Sequence, residues 1–180
     1  MLEKAINVGE SQMEKESKKG RVFAYVVMGI YLLFLCWLIL FKMADSLNKI
    51  PSRRSINLVP FYYGEFKGSR FQLFDIIYNM LVFAPAGFYF AALGKKKTIS
   101  GIGGCFILSL SFEVIQWVFA IGSSDITDLI TNTAGGVVGT GIYFLLRKLS
   151  RGREIKIVSI IGAVIEMGLI GLLVLLFMSN

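Results

Sequence analysis

Apolar residues along this chain come in blocks about 20 residues long, the length needed to cross a hydrocarbon core of roughly 30 Å as a helix. Five such blocks predict five spans: Val22–Phe41, Gln72–Leu93, Thr98–Ile121, Asp125–Leu146 and Ile157–Met178. The first and last are almost purely apolar, whereas the middle three carry polar residues. The first block is too long for a signal peptide and no small-x-small cleavage signature follows it, so it reads as an uncleaved anchor. The pattern predicts an all-α membrane protein of about five transmembrane helices. Its parts are a tail (1–21), an anchor (22–41), a core of one outer loop and three helices (42–146), a basic loop (147–156) and a last helix (157–180).

The polar positions inside the middle spans are not scattered. Asp75 and Asn79 are spaced i, i+4; Ser109, Glu113 and Gln116 are spaced i, i+4, i+7; Asp125, Asp128 and Asn132 are spaced i, i+3, i+7. Each set therefore occupies one helix face. The third face continues to Gly135 and Gly139, a GxxxG pattern that permits close helix contact. A short uncharged turn is expected between the third and fourth spans, and Pro85 is expected to kink the second.

Charge sets the orientation. The net charge is +7, and the chain has 19 lysines and arginines. With the N-terminus inside, the inner segments hold Lys4, Lys15, Lys18, Lys19, Arg21, Lys95, Lys96, Lys97, Arg147, Lys148, Arg151, Arg153 and Lys156. The outer segments hold Lys42, Lys49, Arg53, Arg54, Lys67 and Arg70. Thirteen against six obeys the positive-inside rule and places the C-terminus outside. The basic charge thus has a membrane explanation, and no nucleic-acid partner is expected. The tail mixes Glu3, Glu10, Glu14 and Glu16 with lysines, and reads as a solvated or disordered segment in preference to an amphipathic surface helix.

In that orientation all three polar faces fall in the outer half of the membrane. An ionised side chain facing lipid there costs about 2.5–3.5 kcal/mol at the centre by insertion scales. Facing one another and water, these groups form an outward-facing acidic cavity. Structural readings compete: Asp125 can cap the fourth helix, with Ser124 as a substitute, and Asn79, Ser109 and Gln116 can be interhelical glue. Glue does not require ionisable groups, so Glu113 and Asp128 are the favoured functional pair. The chain has no histidine, which excludes His-based triads and His-ligated metals, and no cofactor or metal is expected. Cys36 and Cys105 should sit at different depths as inert thiols. Gly101, Gly103 and Gly104 lack the GK[ST] ending of a phosphate loop and read as packing residues. Glu166, mid-way along the last span, is either a hydrogen-bonded carboxyl of the bundle or a separate proton relay. In the outer loop, Pro51 and Pro60 exclude a continuous helix. Arg53, Arg54 and Arg70 can meet lipid headgroups, phosphate or the cavity carboxylates. Phe61, Tyr62 and Tyr63 suit an interfacial belt or an aromatic lid.

Taken together, these residues resemble the VanZ-like membrane proteins. The resemblance rests on an N-x-x-P-F element (Asn57, Pro60, Phe61) and an N-x-x-x-F-x-P-x-G helix (Asn79, Phe83, Pro85, Gly87). An S-x-x-x-E-x-x-Q helix follows (Ser109, Glu113, Gln116). The last element is a D-x-x-D-x-x-x-N-x-x-G-x-x-x-G helix (Asp125, Asp128, Asn132, Gly135, Gly139). It covers about Ile56–Tyr143. Many members carry an arginine just before the first aspartate of the last motif; here Gly122, Ser123 and Ser124 stand there. An arginine–carboxylate clamp then requires Arg53, Arg54 or Arg70.

The resemblance implies a multi-pass protein of the bacterial cytoplasmic membrane contributing to low-level teicoplanin resistance. The expected ligand-binding residues are Arg53, Arg54, Asn57, Asp75, Asn79, Glu113, Gln116, Asp125, Asp128 and Asn132. The bilayer and a lipid-linked wall precursor or lipoglycopeptide are the expected partners. No serine, cysteine or histidine nucleophile arrangement is visible, which favours a non-enzymatic role. The alternatives are a membrane enzyme acting on a lipid or wall intermediate, with Glu113 and Asp128 as acid–base groups, and a small proton-coupled transporter.

Overall fold

A computed structural model describes residues 2–40, 53–62, 69–150 and 152–179; for 2–17, 53–54, 69–71, 122 and 172–179 it describes the backbone. Its elements are α1 (Leu2–Leu40), β1 (Arg53–Asn57), α2 (Ser69–Leu93), α3 (Lys97–Phe119), β2 (Ile121–Asp125), α4 (Ile126–Ser150) and α5 (Glu154–Ser179). Four helical stretches are long and apolar enough to cross a membrane: Lys18–Leu40, Gln72–Leu93, Lys97–Phe119 and Ile126–Ser150. They coincide with the first four expected spans. The fifth expected span lies within α5.

Two local expectations are corrected. The tail is helical from Leu2 and continuous with the first span. It contains no proline to interrupt a helix. The turn between the third and fourth spans is an extended strand, β2, which pairs in parallel with β1. The register sets Arg53 against Ile121, Arg54 against Gly122, Ser55 against Ser123, Ile56 against Ser124 and Asn57 against Asp125. Parallel strands need a long crossover, and here α2 and α3 supply it. The chain enters β2 through Ala120, a left-handed residue (φ 55°) whose N–H caps α3 by bonding the carbonyls of Gln116 and Trp117.

The centre of the bundle is α2, α3 and α4, held together by small residues. A Cβ placed on Gly139 would stand 1.9 Å from the Ala84 carbonyl oxygen, and one on Gly135 would stand 2.5 Å from that of Met80. On the neighbouring stripe, a Cβ on Gly136 would stand 2.6 Å from Cys105 Cβ, and one on Gly101 2.1 Å from Thr140 Oγ1. The GxxxG stripe thus brings α4 onto α2, while Gly136 and Gly101 bring it onto α3. Gly101 and Gly104 are packing residues as expected, Gly104 lying under the Phe90 ring.

α1 and α5 pack on each other and on the flank of this core. α2 stays helical through Pro85. The proline removes a helix N–H, and the Tyr31 hydroxyl of α1 donates to the nearby Val82 carbonyl. One apolar cluster joins Ala24, Val27, Phe88, Tyr89 and Tyr143; a second joins Leu35, Phe83, Cys105 and Phe112. Both cysteines are free thiols. Cys105 lies within the second cluster and Cys36 packs against it.

One end of the bundle collects basic groups from several elements. Lys97 Nζ donates to the Ala92 carbonyl (2.9 Å) and lies 5.8 Å from the Tyr143 ring centre. Arg147 donates to the Tyr143 hydroxyl (3.1 Å). Arg21, Arg147 and Glu154 are all within electrostatic reach of Lys97. The polar faces of the middle helices lie towards the other end, where β1 and β2 pair.

Candidate functional site

The site is built around the junction of β2 and α4. Asp125, the last residue of β2, caps α4: its Oδ1 accepts the Thr127 N–H (2.8 Å), as a helix N-terminus requires. Its Oδ2 accepts Asn57 Nδ2 from β1 (3.0 Å). Its backbone N–H donates to Glu113 Oε2 on α3 (2.8 Å). The neighbouring Ser124 hydroxyl donates to the Glu113 carbonyl (2.7 Å), so it binds α3 and does not serve as the cap. Asp125 therefore caps α4 and at the same time bonds Asn57 and Glu113.

Asn57 organises the outer loop from the other side. Its Oδ1 accepts the Val59 N–H (3.1 Å), an Asx turn, and its Nδ2 also donates to the Tyr62 carbonyl (3.1 Å). Phe61 adopts a positive φ of 58°, costly for a bulky residue. Its N–H donates to Thr127 Oγ1 (3.0 Å), which fastens the turn to the first turn of α4. The Ser55 hydroxyl donates to Ser123 Oγ (2.7 Å) along the strand pair. Phe61 and Tyr62 are 52% and 61% exposed, the disposition of an interfacial belt and not of a closed lid.

A second layer lies one turn deeper. Asn79 Nδ2 of α2 donates to Asp128 Oδ1 (2.8 Å) and to Thr131 Oγ1 (3.2 Å) of α4. The Thr131 hydroxyl in turn donates to the Thr127 carbonyl (2.9 Å). A third layer is fully internal: Asn132 Nδ2 donates to Ser109 Oγ (2.9 Å), and both residues are buried. Glu113 lies within electrostatic reach of Asp128 and Asp125. The array therefore runs from buried Ser109, Asn132 and Glu113 to half-exposed Asn57, Asn79, Asp125 and Asp128. Asn132 Oδ1 is buried without a hydrogen-bond partner among the described residues.

Most of the expected residues meet here. Asp75 is half-exposed on α2, one turn before Asn79. Gln116 goes elsewhere: its Nε2 donates to the Ile39 carbonyl at the end of α1 (3.1 Å), and its Oε1 is buried without a partner. The side chains of Arg53, Arg54 and Arg70, with Pro51 and Tyr63, lie outside the described residues. The strand register nevertheless carries the backbone of Arg54 alongside Gly122. Thr127 and Thr131 were missed as site residues. Their signal was a pair of hydroxyls spaced i, i+4 in the first two turns of α4, unremarkable in a helix without knowing what faces it. Among the described residues, no group of three His, Cys, Asp or Glu side chains is placed to hold a metal ion.

The VanZ/LLP1 family profile matches residues 28–147. Protein VanZ of Enterococcus faecium is 36% identical over 136 residues, covering 72% of this chain and 78% of the relative. The chain belongs to the VanZ/LLP1 family. No solved structure matches it. The VanZ/LLP1 match begins within α1 and ends in α4, so it contains every residue of the three layers. In this chain the N-x-x-P-F element, Asn57–Phe61, forms the turn that closes on Asp125 and Thr127 across the strand pair, and Glu113 supports Asp125 from α3.

Proposed function

We propose that this VanZ/LLP1 protein lies in the bacterial cytoplasmic membrane, crosses it five times with the N-terminus inside, and lowers the action of a lipoglycopeptide such as teicoplanin at the outer surface through the acidic site. Thirteen basic residues against six support the orientation. The cluster of Arg21, Lys97 and Arg147 at one end agrees with it. In α5, the stretch 157–178 carries Glu166 as its one charged residue and is long enough for a fifth crossing.

The observation that carries the functional reading is the β2–α4 junction. There a strand of the outer loop and three helices converge on Glu113, Asp125 and Asp128. Asp125 and Asp128 remain half-exposed, so an extracellular amine or amide donor can reach them. The chain shows no serine, cysteine or histidine nucleophile arrangement, which favours binding over catalysis.

Drug susceptibility of cells making Asp128→Asn or Glu113→Gln tests this reading, with the protein level followed alongside. The expected result is loss of protection against teicoplanin at unchanged protein level. Retained protection in both variants would show that the acidic site is not the active feature. Topology is tested separately. A cysteine introduced at Ser179 in a chain lacking Cys36 and Cys105 should react with an impermeant thiol reagent added outside intact cells; reaction only after lysis overturns the five-span arrangement.

A further inference from the structure

Basic residues at one end of a membrane protein are ordinary. Exposed Lys95, Lys96, Lys148, Arg153 and Lys156 need no account beyond the positive-inside rule. Three other cations are arranged. Arg21 of α1 and Arg147 of α4 both lie within electrostatic reach of Lys97 of α3. Two of the three share a platform: Lys97 Nζ stands 5.8 Å and Arg147 Cζ 6.0 Å from the centre of the Tyr143 ring. That ring is 2% exposed, so its place is set by the core.

Against these three cations, Glu154 is the one carboxylate within reach of Lys97 among the described residues. Its Oε2 accepts the Ser150 hydroxyl (3.2 Å). The cations also keep donors in hand. Lys97 gives one of its three N–H groups to the Ala92 carbonyl, and Arg147 gives one of its five to the Tyr143 hydroxyl. Bringing like charges together costs free energy. Orientation in the membrane asks for a number of basic residues on one side; it does not ask three helices to aim them at one place. An anion completes such an arrangement.

The depth says which anion. The apolar stretch of α1 begins at Lys18, one turn before Arg21; that of α3 begins at Lys97; that of α4 ends at Ser150, one turn after Arg147. The cluster therefore lies where hydrocarbon gives way to headgroups. Close to it in sequence, Val22, Ile99 and Leu145 are 63%, 66% and 57% exposed, an apolar surface for acyl chains.

We propose that this end of the bundle binds the phosphate of an anionic phospholipid, held among Arg21, Lys97 and Arg147, with its chains along the exposed apolar surface of the helices. Arginine meets phosphate oxygens with two N–H groups at once, and lysine adds a point charge. A zwitterionic lipid would bring a fourth cation to the cluster. A free phosphate would meet the same donors but gain nothing from the apolar surface. The proposal concerns the end of the molecule opposite the acidic site, and its test reads lipid binding, so it stands or falls apart from drug protection.

The test is native mass spectrometry of the full chain in detergent with phosphatidylglycerol and phosphatidylcholine of equal chains. The chain should retain phosphatidylglycerol about 10-fold or more in preference. Lys97→Gln and Arg147→Gln should each lower that preference about 5-fold. Lys148→Gln, which removes one exposed charge outside the cluster, should lower it less than about 2-fold. Equal retention of the two lipids overturns the proposal. So does an equal loss in Arg147→Gln and Lys148→Gln, which would reduce the cluster to bulk attraction. Millimolar inorganic phosphate should leave the lipid bound; displacement by it would make this a site for a free anion and overturn the lipid assignment.

Discussion

On α4, a Cβ at Gly139 would press to 1.9 Å from the Ala84 backbone, whereas on α5 a Cβ at Gly162 would meet only the Tyr89 hydroxyl and a Val27 methyl at 3.1 Å. The two glycines mark two ways of using a small residue. In the α2–α3–α4 core the missing side chain lets backbones touch, and the polar groups carried on those backbones come within hydrogen-bond distance: Asn79 with Asp128, Asn132 with Ser109, Glu113 with Asp125. At the α1–α5 flank the missing side chain lets side chains, not backbones, close on the helix: the Tyr89 hydroxyl and a Val27 methyl fill the place of the Cβ. Without a hydrophobic drive between helices in lipid, close van der Waals contact and interhelical bonds hold the core. The flank has fewer of both.

The sharpest break of this comparison is Gly139→Val. Its new side chain meets backbone that cannot move aside, so destabilisation of about 3 kcal/mol or more is expected, the upper range for overpacking. Gly141→Val on the same helix is the control, because nothing lies within 4 Å of its Cβ position, and its effect should stay within about 0.5 kcal/mol. Thermal unfolding of the detergent-solubilised protein reads both. Equal effects would mean that the α2–α4 contact is not as close as described.

Asp125→Ala comes next. It removes the α4 cap and the partner of Asn57 together, for about 1–2 kcal/mol, while Asp125→Asn keeps an acceptor for Thr127 N–H and should lose less. If the two variants unfold at the same temperature, the Oδ1 cap contributes nothing. A double-mutant cycle of Ser109→Ala with Asn132→Ala should give a coupling of about 0.6 kcal/mol, typical of hydrogen bonds between membrane helices; a coupling of zero would remove the deepest layer from the network. Smallest is Ser55→Ala. The Ser55–Ser123 bond is exposed, so a change within about 0.5 kcal/mol is expected, and a larger loss would make the strand pair a stability element in its own right.

The sequence by itself determined the helices and most of the polar residues of the candidate site, though not Thr127 and Thr131. Blocks of about 20 apolar residues can satisfy their backbone in lipid only as helices, and helical spacing alone put Asp75 with Asn79, Glu113 with Ser109, and Asp128 with Asn132. The small-residue stripe from Gly135 to Gly139 announced a close contact in the same way. Which faces meet was decided by the tertiary structure. RRSIN and IGSSD are five-residue strands without an alternating pattern, so neither local propensity nor periodicity identifies them. Their pairing brings together residues 68 positions apart, as Asn57 and Asp125 are. Gln116 shares its helix face with Glu113 by spacing, yet it turns to the end of α1 because that carbonyl lies within its reach. A cleft beside Glu166, between α1, α2 and α5, was equally invisible in the sequence, since a gap belongs to three helices at once.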